Sequence, residues 1–204
     1  VSSLETLLAE VRRCRICLEA PARLPPLPHL PRPVLQASAD ARLLIVGQAP
    51  GARVHATGLP FNDPSGDRLR IWLGVARDEF YDARKFAVIP MGFCFPGYDG
   101  KGSDLPPRKE CAGLWRRRLL EKLPRIETII CLGRHAQAWH MPQFCRASLT
   151  ETVRNWRAPY EGLRPRVLPL PHPSWRNIAW LRRNPWFASE ILPLLRREVQ
   201  TLTS

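Results

Sequence analysis

No stretch of this 204-residue chain approaches the roughly 18 consecutive apolar residues of a membrane-spanning helix. The first residues also lack the charged-then-apolar pattern of a secretory signal, so the sequence predicts a soluble, cytoplasmic protein with no membrane partner. Acidic residues are scarce, 18 Asp+Glu against 31 Lys+Arg, which leaves a formal net charge of +13. Such an excess attracts polyanions at long range, nucleic acid first and acidic membrane surfaces second. Lysine is scarce beside arginine, as in Arg116-Arg117-Arg118 and Arg182-Arg183, and the planar guanidinium fork suits phosphate oxygens. There is no internal repeat, and the length suits one domain over residues 1–204. Six cysteines in a reducing compartment do not build a disulfide framework, so metal ligation is their first reading.

What is present is organised around Leu43-Leu44-Ile45-Val46-Gly47-Gln48-Ala49-Pro50-Gly51. An apolar run that ends in Gly-X-X-Pro-Gly reads as a buried parallel strand, Leu43 to Gln48, breaking into a tight turn. In open α/β sheets ligands sit beyond the carboxyl ends of the strands, which makes this turn the candidate site. Further strands are predicted at Phe86–Met91, Thr128–Leu132 and Arg166–Leu170, the last at an edge because Pro169 cannot donate to a ladder.

The intervening segments read as helices. Leu4, Leu7, Leu8 and Val11 recur at helical spacing behind a cap at Ser2 or Ser3, and that helix runs into Cys14 and Cys17. Residues 20–33 are dense in proline and predict an extended arm, so residues 1–40 form a cysteine-bearing helix and arm. A polar loop through His55 and Thr57 is expected after Gly51, then a helix starting near Ser65 whose free N–H groups suit a phosphate. A basic helix spans about Arg108 to Lys122, and a short one follows Gly133 with His135 and His140. Residues 141–165 give only loop and weak helix; a terminal helix runs from Asn177, interrupted near Pro185, to about Val199. Strands alternating with helices predict a three-layer α/β/α sandwich around a four-stranded parallel sheet.

Cys14 and Cys17 form a C-x2-C pair, and Cys94 and Cys111 follow after a long gap. Thiolates prefer soft centres, so a [4Fe–4S] cluster and zinc are the two candidates, and either would clamp the arm to the core. Cys131 lies within an apolar strand and reads as a small buried hydrophobe.

Gly47-Gln-Ala-Pro-Gly51, the Pro60-Phe61 pair before Ser65-Gly66, the four spaced cysteines and His172-Pro-Ser174 occur in one order. Together they resemble the uracil-DNA glycosylase superfamily, in particular its iron–sulfur branches, families four and five. That resemblance implies ligation of a [4Fe–4S] cluster rather than zinc by Cys14, Cys17, Cys94 and Cys111. It implies base contact and water positioning by Gly47, Gln48 and Ala49, and stacking of the base on Phe61. It further implies a hydrogen bond from His172 to the O2 oxygen of the base, and a loop at Ser174 that meets the DNA minor groove. Two departures stand out. Pro90 occupies the position where the iron–sulfur family carries an Asn that reads the base edge, and Gln48 and Ala49 occupy the positions of acids in other branches. Asp63 is similar to the acid that family five places before its Ser-Gly turn.

The expected activity is therefore that of a monofunctional DNA glycosylase, which flips out a deaminated base such as uracil and hydrolyses its N-glycosidic bond. Asp63 and His172 are the candidate catalytic residues; Asn62 or Gln48 could supply the amide missing at Pro90. Ser65, the Gly66 amide and Ser174 are candidate phosphate grips, and Trp175 or Arg176 could fill the gap left in the duplex. The protein is expected to act as a monomer on damaged DNA. The alternative, motivated by Pro90 and Ala49, is a lesion-sensing DNA-binding protein that does not cut.

Overall fold

The computed structural model describes residues 3–204. Strands β1 (Leu43–Val46), β2 (Phe86–Val88), β3 (Thr128–Leu132) and β4 (Arg166–Leu170) form one parallel sheet in the order β2-β1-β3-β4. Leu43 pairs with Phe86 on one side and Thr128 on the other, and Thr128 pairs with Arg166. The period of two along each strand divides its side chains between two cores. Leu44, Val46, Ile129, Cys131 and Val167 face a layer that contains the N-terminal helix Leu4–Arg12. Leu43, Ile45, Ile130, Leu132 and Leu168 face Leu69, Trp72 and Leu73 of the helix Pro64–Leu73 and Leu195, Val199 and Leu202 of the helix Leu192–Thr203. Both faces are thus covered, as the three-layer expectation requires, and Pro169 lies on the edge strand β4.

Several elements differ from the sequence reading. β1 ends at Val46 and β2 at Val88, each short of the expected span. The two chains still run side by side: Met91 N–H donates to the Gly47 carbonyl and Gly92 N–H to the Gln48 carbonyl, both at 2.9 Å. The segment after Gly51 is a helix, Ala52–Thr57, stopped by Gly58 at φ 70°. The N-terminal helix is capped by Ser3, while Ser2 lies outside the described residues. It ends at Arg12, so Cys14 sits in a turn and only Cys17 lies on a helix, the short Ile16–Glu19.

The basic helix is shorter than expected, a π-turn over Ala112–Arg116 followed by Arg117–Leu120. Two helices, Leu149–Arg154 and Arg157–Gly162, occupy the segment that read as loop and weak helix; the first opens on a reciprocal Ser148–Glu151 capping box. Pro185 separates Ile178–Arg183 from the terminal turns, as expected. The arm at 20–33 has no helix or strand but is not loose. Leu27 N–H donates to the Cys17 carbonyl at 3.0 Å, and Arg108 donates to the carbonyls of Arg23 and Pro25 at 2.5 and 2.6 Å. Among the described residues no helix is long and apolar enough to cross a membrane.

Candidate active site

The loops after β1 and β4 meet at the carboxyl rim of the sheet around a hollow of about 410 Å³, mouth included. Its lining includes Gly47, Gln48, Ala49, Phe61, Asp63 and His172, with Pro90 in its wall. Three residues proposed for stacking and catalysis, two from the loop before the helix Pro64–Leu73 and one from the loop after β4, therefore border one space. The Phe61 and His172 ring centroids are 6.5 Å apart with a 31° tilt.

Phe61 is held in an unusual backbone shape, φ 53°, the one positive φ outside glycine among the described residues. Gly66 makes that turn possible: a Cβ there would stand 1.7 Å from the Phe61 carbonyl oxygen. Arg70, nearly buried and paired with Asp67 at 2.5 Å, also donates to that carbonyl at 3.3 Å. Gly47 leaves room for the ring itself, since a Cβ would lie 3.1 Å from Phe61 Cζ.

Asp63 is the N-cap of the helix Pro64–Leu73, its Oδ1 accepting from Gly66 N–H at 2.9 Å. The Gly66 amide, expected to grip a phosphate, donates to Asp63 in this structure. Burial raises the Asp63 carboxyl above its usual range, against the Gly66 hydrogen bond and the Arg53 and Arg70 charges that lower it. The carboxylate thus has a structural duty and a place on the hollow at once.

His172 follows β4. Its carbonyl accepts from Asn177 Nδ2 at 2.7 Å, and the neighbouring Pro173 carbonyl accepts from Arg68 at 2.6 Å. Burial, with Arg176 adding to it, holds the imidazole down to about 4 from its ordinary 6.5, so the ring is neutral at neutral pH. Its ring nitrogens have no hydrogen-bond partner among the described residues. Asn177 holds the N-cap position of the helix Ile178–Arg183 while its side chain pins this loop, and Arg68 does so from the helix Pro64–Leu73.

Other expected residues fall elsewhere. Asn62 does not line the hollow, its Oδ1 accepting from Arg77 at 2.9 Å, so of the two expected amides Gln48 alone borders it. Ser65 lies on the first turn of its helix and Ser174 just before the turn Trp175–Asn177. Trp175 is 69% exposed beside the hollow's loop, and Arg176 lies over its ring and reaches Ser103 Oγ at 3.4 Å.

Behind the wall, Arg116 is wholly buried, with no carboxylate partner among the described residues. It donates to the carbonyls of Ile89 at 3.1 Å and Pro90 at 2.9 Å, and meets His140 Nε2 at 2.7 Å. Five residues before it stands Cys111. The Cys17 thiol is raised by a hydrogen bond to Cys111 and by burial; Cys94 is pushed up to about 12 by burial, with Cys17 and Cys14 adding to it. Phe93 N–H donates to Cys111 Sγ and Trp115 Nε1–H to Cys14 Sγ, both at 3.4 Å. The four thiols thus share one neighbourhood, although among the described residues no three His, Cys, Asp or Glu side chains are gathered to hold a metal ion.

A search of solved structures finds the wild-type SMUG2 of Pedobacter heparinus at 15% identity and a TM-score of 0.41, covering 81% of this chain and 74% of that one. Residues 35–196, most of the chain and all of the hollow's lining but Val34, match the sequence profile of the uracil DNA glycosylase superfamily. The chain belongs to the uracil DNA glycosylase superfamily, whose members are DNA glycosylases.

Proposed function

We propose that this protein is a monofunctional DNA glycosylase that removes a deaminated base, uracil or a relative, and leaves an abasic site. The observation that carries the reading is the convergence of Phe61, Asp63 and His172 on one hollow. A flipped base stacks on Phe61, which offsets about 1–3 kcal/mol of lost stacking. As the N-glycosidic bond breaks, its electron pair passes to the base, and the neutral His172 ring donates a hydrogen bond to the oxygen where negative charge grows. Asp63 faces the sugar cation, accepts a proton from the water that adds to the anomeric carbon, and releases it to solvent; such general-base roles contribute roughly 10²–10⁴-fold. Gln48 takes over reading of the base edge in place of the Asn absent at Pro90.

Cys14, Cys17, Cys94 and Cys111 would hold a [4Fe–4S] cluster. Support comes from the donors themselves: four thiols in one neighbourhood, with N–H groups aimed at the sulfurs of Cys111 and Cys14. The cluster would tie the arm to the core of a single-domain monomer.

A second reading, lesion sensing without cleavage, draws support from the employment of Asp63 as a helix cap. Oligonucleotides carrying uracil, hypoxanthine, xanthine or alkylated bases, incubated with the protein and then treated with alkali, separate the two. Strand breaks support the glycosylase; salt-sensitive binding without breaks supports the sensor.

A further inference from the structure

Beside the base hollow lies a second and larger depression, about 1830 Å³ of open space between the proline-rich arm and the π-turn helix. Its walls are mainly apolar, with Leu24, Met91, Leu105, His135 and Trp139 among them and Arg23 and Lys109 beside them. We propose that this groove receives unpaired nucleotides flanking the extruded base, with Trp139 and His135 as the rings on which they stack. The inference rests on the glycosylase reading and extends it to the form of the substrate.

Three observations support it. The two spaces share a wall, since Pro90 lines the hollow and the next residue, Met91, lines the groove. The far sides are joined as well. A Cβ on Gly133 would lie 3.5 Å from His172 Cβ, and Gly133 caps the helix Arg134–His140 that carries His135 and Trp139. Those two residues are four apart and so occupy one helix face. A strand leaving the hollow past His172 meets them in turn.

The chemistry of the groove selects bases over phosphates. Trp139 is 45% exposed and Leu24 76%, an apolar surface with no use for a duplex, whose bases are stacked inside. An unpaired strand offers π-faces to such a surface and phosphates to Arg23, Arg108 and Lys109 in its lining, where they outnumber the one acid, Glu110. The overall charge of +13 favours this polyanion over a peptide.

The test compares the full-length protein with Trp139→Ala and Trp139→Phe, using a single-stranded oligonucleotide and a trinucleotide with the same central uracil. Trp139→Ala is expected to weaken oligonucleotide binding about tenfold, with Trp139→Phe recovering most of it. The rise in KM should be much smaller for the trinucleotide, too short to reach the groove. A photo-activatable 5-iodouracil beside the lesion should cross-link within residues 134–140. Oligonucleotide binding by Trp139→Ala equal to wild type, or cross-linking elsewhere, overturns the inference and leaves the groove to a protein segment. Wild-type protein that binds and cross-links without cleaving overturns the glycosylase reading alone.

Discussion

The carbonyl oxygen of Phe61 fills the space where any side chain on Gly66 would begin, 1.7 Å from an ideal Cβ. The backbone of Phe61 and the first turn of the helix Pro64–Leu73 are therefore packed as one unit, with Arg70 donating to the same carbonyl. Gly66→Ala must push Phe61 out of its φ 53° turn. Expected are a stability loss of about 1–3 kcal/mol in denaturant titration and a fall in base excision of at least the same order.

Asp63 serves as cap and as candidate base, and two substitutions separate the roles. Asn is as good an N-cap as Asp but cannot take a proton, so Asp63→Asn should melt near wild type and excise roughly 10²–10⁴-fold more slowly. Asp63→Ala should lose the same activity and about 1 kcal/mol of stability in addition. Thermal melting and single-turnover rates on one preparation check both.

The pH dependence follows from two opposite displacements. His172 is held at about 4 in the fold against 6.5 in the unfolded chain, so its stabilising contribution is complete above about 6.5. It is lost progressively as pH falls from 6.5 toward 4, because the unfolded chain takes the proton first. Activity should consequently show no histidine step near 6.5. Its acid limb should belong to Asp63, displaced above the ordinary carboxylate range by burial. Asp63→Asn should remove that limb from the residual kcat/KM profile.

If the four cysteines hold a cluster, protein purified without oxygen is brown, and Cys17→Ser is colourless. Loss of the cluster should also release the arm, whose remaining ties include the Arg108 bonds to the Arg23 and Pro25 carbonyls. Trypsin should then cut after the exposed Arg23 faster in Cys17→Ser than in wild type, while fragments of the sheet persist.

Arg116 spans the carbonyls of Ile89 and Pro90 and the ring of His140 from a fully buried position. Lysine keeps the charge but not the planar fork, so Arg116→Lys should leave at least one of these acceptors unmet, at about 1–3 kcal/mol. Since Pro90 is in the hollow's wall, KM should rise in the same variant. Denaturant titration and steady-state kinetics read the two effects.

The sheet was legible because β1 and β3 are apolar, β-branched-rich runs closed by glycine, and β4 is a mostly apolar run closed by proline. The helix at Leu149 was not resolved within the loop and weak helix expected there, although Ser148-x-x-Glu151 has the capping-box pattern that starts it. The hollow followed from the ordered motifs, yet the details that shape it did not. Arg68 and Arg116 act on backbone carbonyls distant in sequence, Asn177 on one five residues back, and no pairing of residue types announces such bonds. Asn62 shows the converse. It has the right chemistry beside Phe61, but its Oδ1 accepts from Arg77, fifteen residues on, and it does not line the hollow.

The central claim, that Asp63 and His172 act on one bound base, is tested most directly by a double-substitution cycle in single-turnover excision of uracil from an oligonucleotide. If both groups serve one transition state, Asp63→Asn combined with His172→Ala should be scarcely slower than the slower single variant. Losses that multiply in full, or single variants as fast as wild type, would contradict the account.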